Sequence, residues 1–213
     1  MKKFISTSPY QEIGELHELG YTAVENNKLN SDLLTGFPVL VLLNGYAKAG
    51  DEVELITLVA IGDEKGNKFK SAERNYLRLC KEAELLENEK NIKITMRKVS
   101  VSYDEGLDKQ LKAFDDLLQL IGDNDELYAD LTFGSKPTPI VEMLALNYGY
   151  RARQNVTIGC VTYGQFNHEH PEDKGRIYDI TALLAVDEIV KNVADLGIEN
   201  PGEYIHSILT EEE

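Results

Sequence analysis

The chain has 213 residues, enough for one well-buried α/β core with a small appendage but not for two full domains. A formal net charge of −15 argues against long DNA or RNA as a partner, because that affinity comes from Lys and Arg displacing counterions from phosphates. It leaves room for a small phosphorylated ligand held locally by backbone amides, a helix start and a few placed cations. No apolar run approaches the roughly 20 residues that span a bilayer, and Cys80 and Cys160 are too few for a disulfide framework, which points to a reducing, cytoplasmic setting.

The chain begins Met1-Lys2-Lys3-Phe4-Ile5, which lacks the long apolar core of a signal peptide and runs straight into a β-prone segment over residues 3–8. A weak helical pattern follows over 33–46, interrupted by Gly36 and Pro38. Residues 53–61 (VELITLVAI) are almost all apolar or β-branched, which predicts a strand covered on both faces. Phe69, Ala72, Tyr76, Leu79, Ala83 and Leu86 repeat at three and four, giving one face of a long helix. Residues 92–102 alternate as a strand does. Leu107, Leu111, Phe114, Leu118 and Ile121 form the next helical stripe, with Gly106 before it and Gly122 after.

A strand is predicted over 127–133, then a helix over 140–150 (IVEMLALNYGY) that is apolar nearly all round and so reads as buried. Residues 155–164 read as a doubly covered strand, and 175–180 as a last strand across a polar loop. Leu183, Val186, Val190 and Val193 make a final stripe, closed by Gly197 and Pro201. Alternating strands and helices call for parallel strands with right-handed crossovers. The expected fold is a doubly wound, mostly parallel Rossmann-like α/β sheet, with the 175–180 strand added as an antiparallel neighbour. One domain is expected over 1–198, and 199–213 reads as a C-terminal segment with a frayed acidic end.

In such sheets ligands bind where the strands end. Here the strand at 127–131 leads into Thr132-Phe133-Gly134-Ser135-Lys136-Pro137-Thr138-Pro139 and then a helix. Gly134 lets the backbone approach a ligand and take positive φ. Thr132 and Ser135 offer hydroxyls, Lys136 a point charge for phosphate, and the prolines suit a first helical turn whose dipole favours an anion. Asp130 is expected to fix the loop by accepting hydrogen bonds from its amides and hydroxyls. The same residues also serve an ordinary strand-to-helix turn. The order is neither that of a P-loop nor G-x-G-x-x-G. At the end of the first strand, Ser6-Thr7-Ser8-Pro9-Tyr10-Gln11 carries small hydroxyls and a proline that turns the chain, and a central first strand would bring this segment beside the Asp130 loop.

The pattern Asp130-x-Thr132-x-x-x-Lys136 resembles the signature of CARF domains, the CRISPR-associated Rossmann fold. Thr7-Ser8 resembles that family's other ligand motif, and Val161-Thr162-Tyr163-Gly164 with Gly175-Arg176-Ile177-Tyr178-Asp179-Ile180-Thr181 resembles its closing segment. The resemblance implies a homodimer that binds a cyclic oligoadenylate, of four or six units, as the sensor of a type III CRISPR ancillary protein. It implies that Ser6, Thr7, Ser8, Asp130, Thr132, Phe133, Gly134, Ser135 and Lys136 form the ligand site, with Tyr103 and Tyr163 stacking on or bordering adenines. It leaves three readings: a stand-alone sensor, the sensor part of a longer effector, or a slow, metal-independent ring nuclease. In the last case Ser8 and Lys136 are the catalytic candidates. No cofactor and no metal are expected.

Other constellations read as surface. His168-Glu169-His170 lies in a polar loop without further clustered ligands. Asp63-Glu64-Lys65 is flanked by turn residues. Arg151 and Arg153 end a helix, where cations complement the dipole. There is no G-x-S-x-G elbow.

Overall fold

The computed structural model describes residues 1–12, 16–62, 67–167, 170 and 173–210. Its strands are β1 (Lys2–Thr7), β2 (Leu19–Ala23), β3 (Ser31–Thr35), β4 (Glu52–Ile61), β5 (Lys93–Ser102), β6 (Glu126–Asp130), β7 (Thr157–Gln165) and β8 (Gly175–Asp179). Its helices are α1 (Pro38–Tyr46), α2 (Asn67–Lys90), α3 (Leu107–Leu118), α4 (Thr138–Ala152), α5 (Ala182–Leu196) and α6 (Pro201–Thr210). Among the described residues the strands form one sheet in the order β3-β2-β8-β7-β6-β1-β4-β5.

Strands β5, β4, β1, β6 and β7 run parallel. From β1 the chain winds outward in both directions, to β4 and β5 on one side and to β6 and β7 on the other. This is the doubly wound, Rossmann-like arrangement, and its switch point lies between β1 and β6. β8 adds antiparallel to β7, as its sequence predicts. The apolar runs become interior strands of the sheet, β4 and β7. In β4, Leu55, Ile56 and Val59 have no exposed surface, each such burial stabilising by about 1.5–3 kcal/mol.

The weak pattern over 33–46 is not one helix. Residues 31–35 form β3, and the helix begins only at Pro38, with a proline in its first turn. Phe37 N–H donates to Thr35 Oγ1 (3.0 Å), which turns the chain between the two elements. β2 and β3 thus stand between β1 and α1 in the chain, and they extend the sheet beyond β8. The strand predicted over 127–133 stops at Asp130. The Asp130 side chain takes hydrogen bonds from its own downstream residue, and this pulls the backbone out of the extended state.

α1 and α2 share one face of the sheet with Phe4 and Leu55. α4 packs on the other face, where it meets Thr7, and α3 lies against it. Buried Ala72, Tyr76, Leu79, Ala83 and Leu86 are the stripe expected of α2. α4 is not buried all round. Val141, Ala145 and Leu146 face inward, while Ile140 and Leu144 are exposed, because the sheet and α3 cover only part of its circumference.

The chain divides into two compact units, Met1–Asp179 and Ile180–Glu213. The division falls ahead of α5, whereas the sequence reading sets it at 198. In the second unit α5 ends at Gly197, whose φ of 60° forms a left-handed cap, and Pro201 opens α6. No described helix is long and apolar enough to cross a membrane.

Candidate functional site

One register row crosses the sheet just below the strand ends: Thr57 of β4, Ser6 of β1, Asp130 of β6, Thr162 of β7 and Asp179 of β8 are paired neighbours in turn. Residues paired across a sheet point to the same face, so Ser6, Asp130 and Thr162 turn toward α1. Ser6 is buried and its hydroxyl has no hydrogen-bond partner. Asp130 is buried and accepts the hydroxyls of Thr132 and Thr162, both at 2.9 Å, and more weakly the Thr132 amide at 3.4 Å. Thr132 Oγ1 in turn accepts the Gly164 amide at 2.7 Å. This chain of bonds ties the loop after β6 to β7. Burial raises the Asp130 carboxyl to about 7, against the lowering effect of its threonine donors.

On the opposite face the end of β1 meets α4 through Thr7, and the next residue, Ser8, turns back to α2 on the first face. Thr7 donates its hydroxyl to Glu142 Oε1 at 3.0 Å. Ser8 has no exposed surface, and its hydroxyl donates to the Ala72 carbonyl of α2 at 2.7 Å. The hydroxyls of Ser6, Thr7 and Ser8 therefore lie in the layer beneath the loops, together with Asp130.

Above that layer an open cleft of about 670 Å³ runs across the strand ends. Its floor is Thr132, Phe133, Gly134, Ser135 and Lys136. Gly134 sits at φ 122°, a backbone angle that side-chain-bearing residues rarely adopt. Phe133 is largely buried and stacks on Phe166, ring centres 5.7 Å apart, so it anchors the loop from below. Ser135 Oγ and Thr138 Oγ1 lie 3.0 Å apart, which joins the loop to the first turn of α4. That turn has no side-chain cap. Lys136 is exposed on the cleft.

No protein-family model matches the chain, and no curated protein matches it. The site is therefore read from its geometry. The cleft brings together Tyr103 and residues 132–136. Tyr163 stands elsewhere, half exposed on β7 with its ring 6.5 Å from that of Tyr178.

Of four further residues at or under the cleft, Tyr10 and Gln11 belong to the hydroxyl-rich segment expected after β1, whereas Glu105 and Glu142 have no counterpart in the sequence reading. Tyr10 and Gln11 enter from the loop after β1, and Glu105 from the loop after β5. Tyr10 meets Tyr103 edge-on at 6.2 Å, and burial raises its phenol while the Ser135 backbone lowers it. Glu142 lies below, fully buried on α4. Tyr10 directly follows the Ser6-Thr7-Ser8-Pro9 run, so its place at a strand end was the available signal. Glu142 gave none, since a Glu in an apolar helix reads as its outward face.

Asp63-Glu64-Lys65 and the pair His168-Glu169 lie outside the described residues. Among the described residues no group of three His, Cys, Asp or Glu side chains could hold a metal ion. Arg151 stands in the last turn of α4 and Arg153 at its C-cap.

Proposed function

We propose that this chain is a ligand-binding sensor whose cleft at the β1/β6 switch point takes a small cyclic nucleotide, a cyclic oligoadenylate of four or six units. In this reading it is a CARF-type domain of a type III CRISPR ancillary protein, cytoplasmic, and works as a homodimer. The observation that carries the reading is the loop over 132–136. It is held from beneath by Asp130 and Phe133, it presents Gly134, Ser135 and Lys136 to one open cleft, and it runs into an uncapped helix start. A helix start and a lysine favour phosphate, and a dimer offers the same loop twice to a ring with two-fold symmetry. Tyr10 and Tyr103 supply aromatic surface for a base. Glu105 comes from β5, three places along the sheet from β6, so the phosphates belong at the Lys136 end.

Binding without cleavage is favoured over ring hydrolysis by the state of Ser8. Its hydroxyl is committed to Ala72 and has no exposed surface. Calorimetric titration with cyclic tetra-adenylate and cyclic hexa-adenylate tests the reading. One ring should bind at micromolar concentration or tighter. Lys136→Ala should weaken it by roughly tenfold or more, the loss of one charge-assisted contact. Absence of binding by both rings refutes the proposal. Unchanged affinity in Lys136→Ala, with binding of some other nucleotide, would make this a different nucleotide-binding α/β protein.

A further inference from the structure

Glu142 sits one helical turn beyond Thr138, on the side of α4 that packs against the sheet. It has no exposed surface. Its Oε1 accepts the Thr7 hydroxyl at 3.0 Å, and its Oε2 has no hydrogen-bond partner. An unpaired carboxylate in a dry interior is costly, so such a group releases its proton only at a higher pH than usual. Burial accordingly pushes the Glu142 carboxyl well above the usual range, Thr7 opposes this, and Asp130 adds to it. Among the described residues, the groups that act on it are Thr7 and Asp130, and neither is a cation.

The groups that face Glu142 come from each neighbouring element. β1 brings Thr7, β6 brings Asp130, and the loop after β1 brings Tyr10, whose phenol responds to Glu142. α3 turns the apolar Ala113 and Leu117 inward. Thr138, one turn earlier on α4, is tied to Ser135 of the cleft floor. Glu142 therefore stands at the joint between the end of β1 and the helix that opens on the cleft.

We infer that Glu142 is a positioning residue that makes anion binding at this cleft proton-linked. Through Thr7 it holds β1 and α4 together, and above the pH at which it ionises in the free protein it takes up a proton when an anion settles over the loop at 132–136. The inference rests on the binding reading above. The physical cause is direct: a second negative charge close to a buried carboxylate disfavours its ionised form. The phosphodiesters of a cyclic adenylate stay ionised through the neutral range, so the proton must come to the protein.

The test is titration calorimetry of the full chain with both cyclic adenylates between pH 6 and 9, in two buffers of different ionisation heat. Wild-type affinity should fall as pH rises, by at most about tenfold per pH unit, the limit for one proton. The two buffers should report proton uptake. Glu142→Gln should bind with the low-pH affinity throughout and show no uptake. Thr7→Val removes the donor that favours the charged form, so it should shift the fall in affinity to higher pH. Ring binding without proton uptake, or uptake that survives in Glu142→Gln, overturns this inference and leaves the binding reading intact. Failure of both rings to bind overturns the two together.

Discussion

Asp130 and Thr162 face each other across adjacent parallel strands, and the carboxyl group of the first accepts the hydroxyl of the second at 2.9 Å. Both are buried. Thr162→Val keeps the shape and removes the donor, so it should destabilise the fold by about 1–3 kcal/mol, the cost of leaving a buried acceptor short of a partner. Thr162→Ser should recover most of that loss. Urea unfolding of the three proteins checks it, and a neutral Thr162→Val would show that the bond does not hold the loop.

Asp130 also makes stability depend on pH. Its folded carboxyl is raised to about 7 by burial, whereas an unfolded Asp releases its proton near 4. The folded state therefore holds a proton that the unfolded state has lost. The contribution is complete below about pH 4 and declines as pH rises toward 7. Asp130→Asn should flatten the stability profile in that window, and denaturant unfolding at stepped pH measures it. An unchanged slope would mean that Asp130 is already ionised in the fold.

Gly134 combines a φ of 122° with a crowded surrounding, since an added Cβ would lie 2.9 Å from Thr138 Cβ. Gly134→Ala should cost about 1–3 kcal/mol in backbone strain, which lowers the unfolding temperature by roughly 2–4 °C per kcal/mol for a chain of this size. Scanning calorimetry reads the shift. Ligand affinity should drop further than stability, because the substitution reshapes the cleft floor itself.

Gly159 of β7 passes under the Tyr128 ring. An added Cβ would come within 2.4 Å of Tyr128 Cε1, and that ring stacks on Phe4 at 4.6 Å. Gly159→Ala should destabilise by about 1–3 kcal/mol through overpacking. Tyr128→Leu removes the obstructing ring, so the two changes together should cost less than their sum. A double-mutant cycle by urea unfolding measures this coupling, and strict additivity would exclude the clash.

The legible part of the fold was the part with strong hydrophobic patterning. β4 and β7 carry long apolar runs because both faces are covered, and α2 shows a clean stripe because only one is. The alternation of strands and helices was enough to give a doubly wound, mostly parallel sheet. β2 and β3 were not legible. Each has five residues, and they are held by pairing at the sheet margin more than by apolar content of their own. At the site, the loop over 132–136 declared itself through Gly, Ser, Lys and Pro. Glu105 did not, since its place at the cleft depends on which loops the sheet order brings side by side. The burial of Thr7 and Ser8 was equally hidden, because a hydroxyl looks the same in sequence whether it meets water or a helix carbonyl.

The outermost parallel strand, β5, carries Lys93, Arg97 and Lys98 along its ten residues, and Lys93 and Arg97 pair with Glu52 and Glu54 of β4. Ladder groups on a sheet margin are a template on which a foreign strand can grow. Long cationic side chains with anionic neighbours block that growth, since an incoming chain would have to strip their hydration. Fibril-like stacking through this margin is therefore disfavoured.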